Sequence, residues 1–257
     1  AGLSKCRPVS APGVDDKTMT TGDDVARAGA NERRLDDGDA TKYRQIVGKL
    51  MWLACDRADI QYSVKELARE VAESTDLSMM KAQRVLRYLK KYPTYEQRFA
   101  PEEWPKVITV DVDANWAGCR RTRRSTSSAH IKIGNTLIKA ISRTQATVAL
   151  SSGEAEFQAI CLGVAEGLWF QAMIEEVLGI KMKLVVRTDS TAAMGIATRA
   201  GPGRIKHLDL KSLFVQVVVA QGKVNIEKVG TKVNTSDLGT KHLTAERMRE
   251  LLELLHI

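Results

Sequence analysis

Val110-Asp-Val-Asp-Ala-Asn-Trp-Ala-Gly118 is the stretch on which the reading of this chain turns. The residues before it, Val107-Ile-Thr-Val110, are β-branched and predict a strand. The residues after it, Cys119-Arg-Arg-Thr-Arg-Arg-Ser-Thr126, are polar and basic. Asp113 therefore stands near the end of a strand expected to be buried, where a carboxylate is costly unless something pairs with it. Three later acids have the same character. Glu156 lies early in an apolar helix opened by Ser151-Ser-Gly-Glu154, Asp189 follows the strand Leu184-Val-Val-Arg-Thr188, and Asp237 precedes the last helix. Four carboxylates at the edges of elements point to one site that holds hard divalent cations.

The rest of the chain gives that site a setting. With 257 residues, 44% of them hydrophobic and 27% charged, the sequence is long enough and apolar enough for a real core. A net charge of +8 favours a polyanionic partner such as nucleic acid. No signal-peptide pattern opens the chain, no apolar run is expected to span a membrane, and no membrane partner is expected. Cys6, Cys55, Cys119 and Cys161 are scattered, form no Cys-x-x-Cys pair and suit a reducing intracellular compartment, cytoplasm or nucleus. The chain begins without Met in a polar run and reads as a segment of something longer.

Residues 1–40 are rich in Gly, Asp, Thr and Ser and read as a linker, with the acid pairs Asp15-Asp16, Asp23-Asp24 and Asp36-Asp37 as solvated loop. Residues 41–92 change to a helical period and predict three helices. The third carries Lys81, Arg84, Arg87 and Lys91 on one face, either a phosphate-binding stripe or ordinary solvated surface. Residues 93–106, with Pro93, Pro101 and Pro105, read as a second linker. From 107 to 257 the order is three strands, helix, strand, two helices, strand, helix, an α/β unit with helices against a mixed sheet. Gly134-Asn135 marks a hairpin turn, and Ser151-x-x-Glu154 has the spacing of a helix cap.

Taken together and in order, several of these segments resemble the C-terminal part of the Pol polyprotein of copia-type LTR retrotransposons. Lys42-Tyr-Arg-Gln-Ile-Val-Gly-Lys-Leu50, Arg57-Ala-Asp-Ile60 and Val85-Leu-Arg-Tyr-Leu-Lys90 resemble the thumb or connection-like segment after the polymerase palm. Asp113-Ala-Asn-Trp-Ala-Gly-Cys119, Arg124-Ser-Thr-Ser127, Val148-Ala-Leu-Ser-Ser-Gly-Glu-Ala-Glu-Phe157, Lys206-His-Leu-Asp209 and Ser236-Asp-Leu-Gly-Thr-Lys241 resemble its ribonuclease H domain. Any one motif alone is weak; the ordered set is specific.

The resemblance implies a ribonuclease H-like fold whose site is Asp113, Glu156, Asp189 and Asp237. Asp113 is selected over Asp111 by the Asp-Ala-x-Trp pattern, and Glu156 over Glu154, which is left as the helix cap. The chemistry is hydrolysis of the RNA strand of an RNA–DNA hybrid with two Mg²⁺ or Mn²⁺ ions, about 3.5–4 Å apart. Asp113 is expected to bridge them. Arg120, Arg121, Arg123 and Arg124, and further on Arg204, Lys206 and His207, are the candidate phosphate contacts. The polymerase portion of the same polyprotein is the implied protein partner, and polymerisation is not expected of this chain, which lacks the palm and its Asp pair. The sequence departs from many cellular ribonucleases H in having no His between Val224 and Asp237; His207 and Lys232 are the residues left to stand in. The alternative is a non-catalytic relative that positions a hybrid for a polymerase elsewhere.

Overall fold

The computed structural model describes residues 6–14, 33–99, 105–201 and 210–257, without the side chains of 210–212. Arg204, Lys206 and His207 lie outside the described residues, as do the acid pairs at 15–16 and 23–24. The chain divides into two compact units: residues up to Glu96 together with His242–Glu250, and Gln97–Lys241 together with Leu251–Ile257.

The first unit holds the three expected helices, α1 (Asp37–Leu53), α2 (Ala58–Arg69) and α3 (Asp76–Lys91). The first begins four residues earlier than the hydrophobic period indicates. Asp36 caps it by accepting the backbone N–H of Asp39 at 2.8 Å, and Asp37 and Asp39 sit in the first turn, where the helix dipole favours negative charge. The Asp36-Asp37 pair is thus a helix start rather than solvated loop. Tyr43, Val47, Leu50, Ile60, Val64, Leu67, Ala82 and Val85 fill the core between the helices. Beside them Arg57 binds Asp59 through two nitrogens, at 2.9 and 2.7 Å, and Tyr88 donates to the same carboxylate at 2.7 Å. The basic stripe of α3 is largely taken up inside this unit. Lys81 pairs with Glu70, Arg87 donates to the Arg7 carbonyl and Lys91 donates to the Ser10 hydroxyl.

The second unit is built on β1 (Val107–Asn115), β2 (Thr126–Ile133), β3 (Thr136–Thr144), α4 (Ser152–Leu178), β4 (Lys183–Thr188), α5 (Thr191–Thr198), α6 (Leu210–Ala220) and β5 (Val224–Lys228). Two 3-10 turns, Thr231–Val233 and Thr235–Gly239, follow in this unit; the last helix, α7 (Ala245–Glu253), belongs mostly to the first unit. The sheet order is β3-β2-β1-β4-β5, antiparallel through β3, β2 and β1 and parallel through β1, β4 and β5. A mixed five-stranded sheet in that order, with the long helix between β3 and β4 laid on it, is the ribonuclease H-like α/β fold.

β1 runs five residues beyond its β-branched start, and β2 begins four residues before His130, because its polar Thr126-Ser-Ser128 opening is buried. Ser128 faces Asp113 across the strand pair. α4 ends at Gly179, left-handed at φ 67°, whose N–H closes on the Glu175 carbonyl. It lies close on the sheet because Gly163 has no side chain: a Cβ there would overlap Val112. By length and composition α4 is apolar enough to cross a membrane, contrary to the expectation that no run is. Its Phe157, Ile160, Val164 and Ile174 belong to the core cluster formed with the sheet residues Val110, Val112 and Leu184.

Candidate metal centre

The site follows from strand register. In the parallel β1–β4 pair Asp111 stands opposite Arg187. Two residues further along the same register, Asp189 comes level with Asp113 at the ends of the two strands. The second turn of α4 adds Glu156. Oxygen atoms of Asp113, Glu156 and Asp189 all lie within 4.8 Å of one another.

Each carboxylate is held from one side. The Asp113 Oδ2 accepts the Thr240 hydroxyl at 2.6 Å, and the Asp189 Oδ2 accepts the Thr231 hydroxyl at 2.9 Å. Glu156 meets the backbone N–H of Ala114, while its Oε2 is buried with no hydrogen-bond partner among the described residues. Burial, followed by the charges of Asp113 and Asp189, pushes Glu156 up to about 9. Burial likewise raises Asp113, to about 6, with Asp237 and Asp189 adding to the effect and Thr240 opposing it. Crowded acids that resist ionisation, with one oxygen left unpartnered, form an all-oxygen donor set. Those features fit a hard divalent cation such as Mg²⁺ or Mn²⁺.

Asp237 is not within that 4.8 Å set. It lies on the 3-10 turn Thr235–Gly239 rather than on the last helix, and its Oδ1 is paired with the Lys241 ammonium at 2.5 Å. Its charge still reaches Asp113. So the structure clusters three of the four expected acids and leaves the fourth beside them, engaged with a lysine.

The two rejected acids have separate occupations. Glu154 accepts the Leu150 N–H at 2.9 Å while Ser151 accepts the Glu154 N–H at 3.2 Å, which makes Glu154 part of the helix cap. Asp111 is fully buried. It takes Lys132 at 2.6 Å, Arg187 at 2.6 Å and the Thr235 hydroxyl at 2.8 Å. Burial alone would raise its pKa, but Lys132 and Arg187 more than offset that and hold it below the usual carboxylate range.

Arg120, Arg121, Arg123 and Arg124 are all exposed, on a loop that leaves β1 directly after the acidic site. The loop is fixed by backbone bonds between Cys119 and both Arg123 and Arg124. Trp116, at its start, is half exposed, and its indole N–H is tied to the Ala149 carbonyl at 3.0 Å. Of the two proposed substitutes for the missing histidine, Lys232 is exposed on the first 3-10 turn and His207 lies outside the described residues. His130 is another histidine with a different job. It is buried against Thr235, and desolvation pushes it down to about 4, so it stays neutral.

No family model matches the chain. Over 209 residues it is 30% identical to the retrovirus-related Pol polyprotein from transposon RE1 of Arabidopsis thaliana, a match over 80% of this chain and 14% of that protein. It is 26% identical over 216 residues to the retrovirus-related Pol polyprotein from transposon TNT 1-94 of Nicotiana tabacum, over 83% of this chain and 16% of that one. Its relatives are thus retrovirus-related Pol polyproteins of plant transposons. It spans about a seventh of their length. Among solved structures, an RNase H1 isolated from compost superposes with a TM-score of 0.41 at 14% identity, over 57% of this chain and 99% of that one.

Two site residues were not singled out by the sequence. Thr240 is fully buried and orients Asp113, and Lys241 engages Asp237. Both lie in the Ser236–Lys241 motif, whose Asp alone was assigned a role. A hydroxyl and an ammonium next to a functional acid were the available signal.

Proposed function

We propose that the 107–257 region hydrolyses the RNA strand of RNA–DNA hybrids, as the ribonuclease H part of a copia-type retrotransposon reverse transcriptase. The observation that carries this reading is the cluster of Asp113, Glu156 and Asp189, with an unpartnered Glu156 oxygen, at the edge of a ribonuclease H-like sheet. Asp113, Glu156 and Asp189, with Asp237 beside them, would hold two Mg²⁺ or Mn²⁺ ions. Bound there, such ions supply an activated water and stabilise the leaving oxygen of the phosphodiester.

The chain's own groups then divide the work. Thr240 fixes Asp113 so that one oxygen is committed and the other is open to the site. Glu156 and Asp189 complete a concentrated negative field. Exposed Arg120, Arg121, Arg123 and Arg124 would contact the phosphates, and recognition would read backbone shape and the 2′-hydroxyl rather than bases. Arg204, Lys206 and His207 are proposed for the same role from sequence. The 41–92 helices are proposed as a thumb or connection-like segment facing the polymerase portion of the polyprotein. Four cysteines outside any disulfide agree with an intracellular setting, cytoplasm or nucleus.

The test is a labelled RNA–DNA hybrid incubated with the chain in Mg²⁺ or Mn²⁺. RNA-strand cleavage is expected, and Asp113→Asn should lower its rate by more than about 100-fold, a larger loss than removing groups that merely support metal ligands. Absence of cleavage by folded wild-type protein in both metals would favour the non-catalytic, hybrid-positioning relative instead.

A further inference from the structure

Lys241 stands beside the acidic site, and the proposed reaction does not use it. Its ammonium meets Asp237 at 2.5 Å, and that carboxylate is itself almost buried, with 8% side-chain exposure. The residue before it, Thr240, donates to Asp113 at 2.6 Å and also lies against the Asp237 carbonyl. The short segment from Asp237 to Lys241 is therefore tied to the acidic cluster by the Thr240 hydroxyl on Asp113 and closed on itself by the Lys241 ammonium on Asp237. The Lys241 charge extends to the others: it lowers both Asp113 and Glu156, and Asp237, Asp113 and Asp189 in turn raise the lysine against the effect of its burial.

Four acids this close repel one another in a poorly solvated place, and a positive charge relieves all four at once. A divalent cation at the same acids would relieve them too, and it would repel the ammonium. The two cations therefore compete for one field. The Lys241 side chain is 46% exposed, so it has room to leave.

We propose that Lys241 is a built-in counter-ion of this site, occupying Asp237 until a divalent cation displaces it, and so setting how tightly the site binds metal. The inference rests on the metal-centre reading above. It accounts for Asp237 standing apart from the other three acids: a lysine holds it. It also places a part-exposed positive group beside the acids in a chain with no histidine between Val224 and Asp237. When metal takes the acids, the released ammonium is free to meet a phosphate oxygen of the bound strand. Lys241 is a positioning residue on this account, acting through Asp237.

The experiment is a Mn²⁺ titration of the full chain without nucleic acid, read by the disappearance of the free-Mn²⁺ electron paramagnetic resonance signal. Wild type, Lys241→Met, Lys241→Gln and Lys241→Arg are compared, with Asp113→Asn as the site control. Lys241→Met and Lys241→Gln should bind Mn²⁺ about ten-fold tighter than wild type, since a nearby like charge is gone, and Lys241→Arg should match wild type. Unchanged or weaker Mn²⁺ binding in both neutral variants, with wild-type binding present and lost in Asp113→Asn, would overturn the counter-ion role and leave the metal centre standing. No Mn²⁺ binding by any protein, neutral variants included, would overturn both.

Discussion

Asp111 and Asp113 are two residues apart on one strand, and their surroundings are opposite. At Asp111 the parallel register delivers Arg187, β2 delivers Lys132, and the Thr235 hydroxyl completes the set. At Asp113 the same register, advanced by two, delivers Asp189, and the helix adds Glu156. One step along the strand pair replaces cations with carboxylates. The inner aspartate is a closed ion-pair network, its charge fully compensated within the protein. The outer one is a charge the protein does not neutralise, apart from Lys241 at a neighbouring acid. A buried acid with partners is architecture, and a buried acid among other acids is a candidate metal ligand.

The comparison breaks first at Asp111. Asp111→Asn leaves Lys132 and Arg187 without their shared counter-charge, and chemical denaturation should show a loss of about 3–5 kcal/mol. The sequence alone gave no reason to expect this, since Asp111 had no visible partner. A loss under 1 kcal/mol would mean the network is not a structural lock.

Beyond Asp113 the strand runs into the exposed arginine loop. Replacing Arg120, Arg121, Arg123 and Arg124 with Ala should weaken hybrid binding and flatten the slope of log affinity against log salt by up to about 3, as phosphate contacts release counterions. An unchanged slope would make the loop ordinary solvated surface.

The outer acids also set a pH dependence. Asp113 and Glu156 have folded values raised above those of the unfolded chain. In the metal-free protein their contribution to stability is fully present below the unfolded carboxylate values. It is lost as pH rises through about 6 for Asp113 and about 9 for Glu156. Divalent metal binds the deprotonated acids, so the rise in Tm caused by Mg²⁺ should grow from pH 5.5 to pH 8.5. A Mg²⁺ effect that shrinks over that range would contradict the raised values.

The smallest effect is expected at Glu154, two residues before Glu156. Glu154→Gln keeps an acceptor for the Leu150 N–H, so thermal melts should show a loss of no more than about 1 kcal/mol and cleavage assays little change.

Much of this was legible in the sequence because it depended on local pattern. The three helices, the hairpin at Gly134 and the acids at strand and helix edges all announce themselves through period, turn chemistry and position. Strand ends were not legible where Ser and Thr are buried, as at Thr126–Ser128, because polarity there is answered by distant groups rather than by solvent. The same holds for the partners. Lys132, Arg187 and Thr235 meet Asp111 from three separate elements, and the basic stripe of α3 is covered by residues 6–10, about eighty positions away. Choosing Asp113 over Asp111 needed the motif; explaining the choice needed the register.

The most direct measurement is the Mn²⁺-induced rise in Tm of wild type, Asp113→Asn and Asp111→Asn at pH 8. The account predicts that Asp111→Asn starts from a much lower Tm yet keeps the Mn²⁺ rise. Asp113→Asn should start at or above the wild-type Tm, since one of several repelling charges is gone, and lose the rise. An Asp113→Asn protein that Mn²⁺ stabilises as much as wild type would contradict the claim that the carboxylate-lined end of β1 is where the cation binds.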